Sequence, residues 1–404
     1  MRICSLFLLV IELARAVEAS RVLVVGGSGR VGGSAVRALL KRGIEVDVGG
    51  RDPRNWGQYL DRMSEIDPGA ALDKVRFQDI DLFNKESDLR SILAQYSLVV
   101  NTAGPFQGLS SPDLLEHCLN NRVKYVDVCD DINLARAARS PRFQTLARER
   151  DTSAIVSAGI WPGVSSILAQ TLINRVARRG GDEVSKVRFS FFTAGSGGAG
   201  ETILTATFLL LGEDVLTYVD GRPEYRKTAT DSITRDFGIE IGLRECVRLN
   251  LIECESCWAH HKSRYPRLSV ETRFGTAPRF WNKLFQAMAL VLPQDLLKNR
   301  EAMRALAIVS LPMVRLVDSF VGSTNGIQVE VEDTAGASFS ALLTHRDLEQ
   351  EVGCCLADFT MALLSGAADD GTHGVYFPEE LPSDAARASI LEASCNRSIS
   401  FSMD

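Results

Sequence analysis

No apolar run in this 404-residue chain is long enough to cross a bilayer, so no spanning helix is expected in its body. No disulfide framework is written into it either. The nine cysteines are odd in number and scattered from Cys4 to Cys395, which is how free thiols of a reducing compartment are distributed. A basic surplus is missing: a net charge of −6, with 45% hydrophobic and 24% charged residues, describes an ordinary globular protein and offers no footprint for nucleic acid. There is no internal repeat and no low-complexity tract. The Gly-x-Ser-x-Gly elbow of hydrolases is absent. No tyrosine is followed four positions later by lysine, which excludes the Tyr-x-x-x-Lys pair of short-chain dehydrogenases. Cys254 and Cys257 make a single Cys-x-x-Cys close to His260 and His261. Structural zinc sites draw ligands from two separated pairs, and the redox motif opens a helix in a strand-helix-strand context, so no metal is expected.

What the chain does contain is concentrated between Arg21 and Arg51. The β-branched run Val22-Leu23-Val24-Val25 ends in GGSGRVGG, and the helix-like SAVRALLKRG follows. Gly27, Gly29 and Gly32, with Ser28, Arg30 and Val31 between them, fit a dinucleotide-binding turn. The first glycine makes the bend, the second admits the pyrophosphate and the third lets helix approach strand. Phosphate then meets the N–H groups and positive dipole end of the helix N-terminus. A second strand, Ile44–Val48, follows on schedule and runs into Gly49-Gly50-Arg51-Asp52. Where an NAD enzyme carries an acid, Arg51 suits the 2′-phosphate of NADP, because a guanidinium pairs it bidentately.

Strand-like runs then recur with helical spacers, each ending in polar or glycine residues. Lys74–Gln78 leads to Asp79 and Asp81, Leu98–Asn101 to Thr102-Ala103-Gly104-Pro105, Lys124–Val128 to Cys129-Asp130-Asp131, and Ala154–Ser157 to Gly159-Ile160-Trp161-Pro162-Gly163. This alternation predicts α/β architecture with a doubly wound parallel sheet, whose ligands lie beyond the strands' carboxyl ends. After about Ile160 strands cluster with fewer crossovers, which predicts a second α+β domain with a mixed or antiparallel sheet. The expected division is a targeting or extension segment over 1–20, a nucleotide domain over 21–160 and a second domain over 161–345. A helical segment over 346–381 and a poorly ordered Ser/Asp/Ala-rich tail over 382–404 complete it. The opening, MRICSLFLLVIELARAVEAS, has the look of a secretory signal, but the thiol usage argues against secretion and for an intracellular setting, cytoplasm or plastid.

The combination VLVVGGSGRVGGSAVRALL, VVNTAGPFQG, YVDVCDD, GIWPGVSSILAQ, TATFLLLGE, FGTAPRFWN and GVYFPEEL resembles the saccharopine dehydrogenase-like oxidoreductases, in the subgroup of plants, algae and bacteria. The resemblance spans roughly Arg21 to Leu381. It implies an N-terminal NADP-binding Rossmann domain facing a C-terminal α+β domain across a cleft. It also implies hydride transfer to or from an amino-acid-derived imine, or a related carbonyl compound, as substrate. A homodimer stays open.

Such chemistry needs a hydride donor held against carbon, a proton source near nitrogen and cations for substrate carboxylates. Asn101 through Pro105 fall along the nicotinamide half of the cofactor, or form a plain strand-to-helix turn. Asp79 and Asp81 fall where adenine is contacted, or serve as turn acids. Cys129, Asp130 and Asp131 are the candidate proton-handling cluster; the competing reading makes the aspartates helix caps. Cations would come from His260, His261, Lys262, Arg264 and Arg267 around Tyr265-Pro266, with Arg273 and Arg279, or that run is a solvated loop. Trp161 is an aromatic lid or a packing residue at the domain crossover. A protein that keeps the nucleotide site as a sensor, without turnover, is the alternative function.

Overall fold

The computed structural model describes residues 20–66, 72–82, 88–178, 183–195 and 200–404. The expected leader segment, Ser20 apart, and the centre of the glycine loop before Glu201 lie outside the described residues. Six strands open the fold: β1 (Arg21–Val25), β2 (Glu45–Gly50), β3 (Arg76–Asp79), β4 (Leu98–Asn101), β5 (Lys124–Asp127) and β6 (Ala154–Ile155). They pair in parallel in the order β6-β5-β4-β1-β2-β3, the doubly wound arrangement expected from the alternating pattern. Val22, Leu23 and Val24 of β1 and Leu98 through Val100 of β4 are fully buried. Continuous β-branched and leucine runs are stable there because helices cover both faces of a parallel sheet. The helix Arg30–Leu40 is one such cover, burying Ala35, Val36 and Leu39.

The second sheet contains β7 (Val184–Ala194), β8 (Val215–Val219), β9 (Arg222–Arg226), β10 (Ile233–Asp236), β11 (Leu243–Arg248), β12 (Ser269–Ala277), β13 (Thr324–Asp333) and β14 (Ser338–His345). It is mixed: β12 runs parallel to β7, and the other pairings are antiparallel. Period-two alternation sorts its two faces. On one face Val187, Phe189 and Phe191 sit across from Val331, Val329 and Ile327, all fully buried, and the helix Val164–Arg178 packs against them. On the other, Arg188 bonds Glu271 on one neighbouring strand at 2.6 Å and Glu330 on the other at 2.8 Å.

After β14 the chain returns to the first domain. The helix Leu348–Leu364 lies along the helix Arg30–Leu40, where Ser34 Oγ donates to the Gln350 carbonyl at 3.1 Å. β15 (Val375–Tyr376) then adds a seventh parallel strand beside β6. The tail departs from expectation. Residues 384–397 form a helix capped by Ser383, and β16 (Ser400–Met403) pairs with β14. The composition of the tail is polar, but Ile390 and Leu391 are buried and Arg397 bonds both Glu351 and Asp358. Docking onto a finished fold supplies the order that local composition lacks.

Candidate functional site

The β1 turn is built as a nucleotide cradle. Gly29 caps the helix Arg30–Leu40 without any side-chain hydrogen bond, so the first helical amides have no competing side-chain oxygen. A Cβ on Gly32 would lie 2.3 Å from the Gly26 carbonyl oxygen, which makes glycine obligatory for the helix to approach the strand. A Cβ on Gly29 would meet only that same carbonyl oxygen, at 3.1 Å, and the position is exposed. The cradle therefore has room on its outer side for a pyrophosphate. Thr102, at the end of β4, braces it by donating Oγ1 to the Val25 carbonyl at 2.9 Å.

At the end of β2, Arg51 is exposed, while Asp52 is bound by Arg54 through Nη2–Oδ2 and Nε–Oδ1 at 2.7 and 2.9 Å. That side-chain hydrogen bonding holds Asp52 below the usual carboxylate range. Asp52 is thus tied to Arg54, a residue the sequence reading did not single out, and the exposed Arg51 stands beside that pair at the end of β2. These residues fit NADP. Asp79 is exposed and Asp81 partly so at the end of β3, on either side of buried Ile80. Asn101 is buried and used structurally: its Oδ1 accepts from Ala103 N at 3.1 Å and its Nδ2 donates to Tyr125 Oη at 3.0 Å. Ala103, Gly104 and Pro105 are partly exposed beyond it.

Beyond Thr102, Gly104 and Pro105 a cavity of about 250 Å³ opens between the two sheets. Residues 21–160 supply Val31, Val128 and Asp130, and later residues supply Trp161, Ile203, Leu251 and Glu253. Trp161 lines the cavity with its ring 5.5 Å from that of Phe191, so it is a wall bridging the two domains. Next to it lies a polar cavity of about 510 Å³ that includes Gln107, Asp131, Arg136, Glu213, Lys298 and Arg300.

The three members of the expected proton-handling cluster separate here. Cys129 is 1% exposed and burial pushes its thiol well up, which leaves it protonated and unreactive. Asp131 caps the helix Ile132–Ala138, its Oδ1 accepting from Leu134 N at 2.7 Å. Asp130 alone of the three lines the apolar cavity, and burial pushes its carboxyl up to about 6. Neighbouring Asp127, raised by burial to about 6, accepts from the backbone of Cys129 and Ser157 at 3.0 and 2.8 Å and so fixes the mouths of β5 and β6.

Sequence reasoning missed Glu253. It opens the helix Glu253–His261, is 1% exposed, and accepts from Ser165 Oγ at 2.9 Å. Burial pushes it up to about 7, with the charge of Asp130 adding to the rise. An acid directly after Leu251-Ile252 was the one available signal, and a weak one, since burying a carboxyl is costly. Glu349, also on the cavity wall, is ion-paired with Arg30. The basic run lies elsewhere. His260 through Arg267 and Arg279 do not line the apolar cavity, and Arg273 is bonded to Glu271 at 3.0 Å. His261 is buried, which pushes it down to about 3. Cys254 and Cys257 are free and buried, and Cys254 Sγ donates to the Val270 carbonyl at 3.3 Å. Among the described residues no group of three His, Cys, Asp or Glu side chains is placed to hold a metal, and no helix is long and apolar enough to cross a membrane.

The first domain is similar to a known family. The family model described as the saccharopine dehydrogenase NADP binding domain matches residues 22–160. The fold of the whole chain is similar to that of apo saccharopine dehydrogenase (L-Glu forming) from Saccharomyces cerevisiae, with a TM-score of 0.64 and 12% identity over 96% of this chain and 100% of that one. At that identity the likeness establishes the saccharopine dehydrogenase fold and nothing about substrate. An alternative dihydrofolate reductase from Brucella canis complexed with NADP aligns over 35% of this chain and 73% of its own, at 20% identity and a TM-score of 0.24, which carries no argument. No curated protein matches the sequence.

Proposed function

We propose that this protein is an NADP(H)-dependent oxidoreductase that reduces a C=N or C=O group in the apolar cavity, or oxidises the corresponding amine or alcohol. Bound at the glycine cradle, NADPH supplies a hydride. Transfer of hydride to carbon and of a proton to nitrogen or oxygen gives the amine or alcohol together with NADP⁺.

The carrying observation is the position of Asp130 and Glu253. Both carboxyls border the cavity that begins where the β4 turn Thr102–Pro105 ends, and burial raises them to about 6 and about 7. Acids tuned to near-neutral values are suited to donate and recover a proton at working pH. Asp130, open to the cavity, delivers the proton; Glu253, on the same wall and bonded to Ser165, feels the charge of Asp130 and titrates with it. Trp161 and the helix Glu201–Leu210 exclude water from the reacting atoms. The cationic seat that an amino-acid substrate requires is not supplied by the basic run, so the reading rests on hydride transfer and proton delivery alone.

The test is NADPH oxidation by the full chain with a panel of imines and ketones, in the wild type and in Asp130→Asn. Turnover that depends on Asp130 supports the reading. Tight NADPH binding with no turnover across the panel would favour the sensor instead.

A further inference from the structure

The apolar cavity has an unusual charge inventory. Asp130, Glu253 and Glu349 are the charged residues on its wall, and no lysine, arginine or histidine joins them among the described residues. Glu349 is neutralised by Arg30, which leaves two acids and no unmatched cation. Of the four threonines on the wall, Thr102, Thr193, Thr202 and Thr207, three spend their hydroxyls on partners within the fold. Thr193 Oγ1 donates to Asn325 Oδ1 at 2.7 Å, Thr207 Oγ1 to the Ile203 carbonyl at 2.9 Å and Thr102 Oγ1 to Val25. Leu210, Leu249, Leu251, Ile252, Phe274 and Trp161 make up much of what is left. Beyond Arg30, which is paired with Glu349, the neighbouring polar cavity holds Arg136, bonded to Glu255 at 2.6 Å, Arg300, bonded to the Pro105 carbonyl at 2.8 Å, and Lys298, and none of the three is on the apolar wall.

We infer that the substrate carries no carboxylate on its reacting carbon and presents an apolar aliphatic or aromatic body to this cavity. The inference rests on the hydride-transfer reading and narrows its substrate to neutral or cationic imines, amines and carbonyl compounds. An α-imino or α-keto acid would bring its carboxylate out of water to a site with two carboxyls and no bidentate partner. An apolar substituent at the same carbon loses nothing on entry, and its burial is favourable. A protonated imine is also accommodated, because its positive charge faces acids.

Acetophenone and phenylglyoxylate test this directly, since they differ only by a methyl or a carboxylate on the reacting carbon. Affinity for the NADP⁺-loaded full-length protein is measured by calorimetry, where no hydride is available and turnover does not intrude. The same pair is then offered with NADPH. The expected result is binding of acetophenone tighter than phenylglyoxylate by about two orders of magnitude, and recovery of phenylglyoxylate binding in Ile203→Arg, which places a guanidinium on the cavity wall. Equal or tighter binding of phenylglyoxylate by the wild type overturns the inference, as does failure of both to bind at millimolar concentration. Binding of acetophenone without NADPH oxidation has a different meaning: it supports the apolar specificity and counts against the oxidoreductase reading.

Discussion

Glu253→Gln separates the demands of stability from those of chemistry at one atom. Burial raises this carboxyl from an ordinary 4.5 to about 7, so the folded protein holds its proton more tightly than the unfolded chain does. A raised acid contributes its stability in full below the unfolded value and loses it as pH rises through the folded one. The difference between the two values corresponds to about 3 kcal/mol, taking about 1.4 kcal/mol per pH unit. Glutamine keeps an oxygen to accept from Ser165 Oγ and never ionises, so the variant escapes that loss. Urea denaturation at about pH 5.5 and at about pH 8 reads the effect. The stability of the variant relative to wild type should grow by about 2 kcal/mol between those conditions, because part of the loss has already occurred at the lower pH. The same variant should reduce substrates more slowly. A stability difference that stays constant with pH would refute the claim that Glu253 is a buried, proton-holding acid.

Other consequences follow from the same geometry. Asp130→Asn should bind NADPH normally and lose kcat by roughly 10²–10⁴-fold, whereas Asp131→Asn should be nearly silent, because asparagine caps a helix about as well as aspartate; steady-state kinetics of the two decide which aspartate handles the proton. With Asp130 and Glu253 near 6 and 7, reductive kcat should fall as pH rises through that range and oxidative kcat should rise; a flat profile would mean that neither acid donates. Arg51→Asp should weaken NADPH far more than NADH, measured by calorimetry, and equal losses would remove Arg51 from the 2′-phosphate site. Gly29→Val should fold, since a Cβ there meets only the Gly26 carbonyl oxygen at 3.1 Å, yet lose nucleotide affinity; retained affinity would make the turn purely structural.

The nucleotide half was legible because its signals are local. A β-branched run, a glycine turn and an amphipathic helix each dictate a conformation within a few residues, and Gly32 is required by a contact six positions away in sequence. The mixed second sheet was legible in part: β7, β11, β12, β13 and β14 are readable as strand-like runs, whereas β8 and β9, whose hairpin turns at Asp220-Gly221, were not recognised as strands. The site was harder. Asp130 and Asp131 are adjacent and chemically identical, and only the helix that starts at Ile132 shows that one of them is a cap. Glu253 lies more than a hundred residues from Asp130, and no periodicity brings the two together. The basic run around His260 looked like a carboxylate site because composition does not record which way a helix faces. The tail illustrates the converse case, where a polar composition hides Arg397, whose bonds to Glu351 and Asp358 exist only after folding.

The central claim is that hydride passes between NADP(H) and carbon inside the cavity bordered by Asp130 and Glu253. The most direct measurement uses NADPH carrying deuterium at its transferable position, incubated with the full-length protein and the imine and ketone panel, followed by mass spectrometry of the products. The account predicts a single deuterium on the former C=N or C=O carbon, with the rate of its appearance falling sharply in Asp130→Asn. Saturating NADPH binding with no deuterium in any product would contradict it.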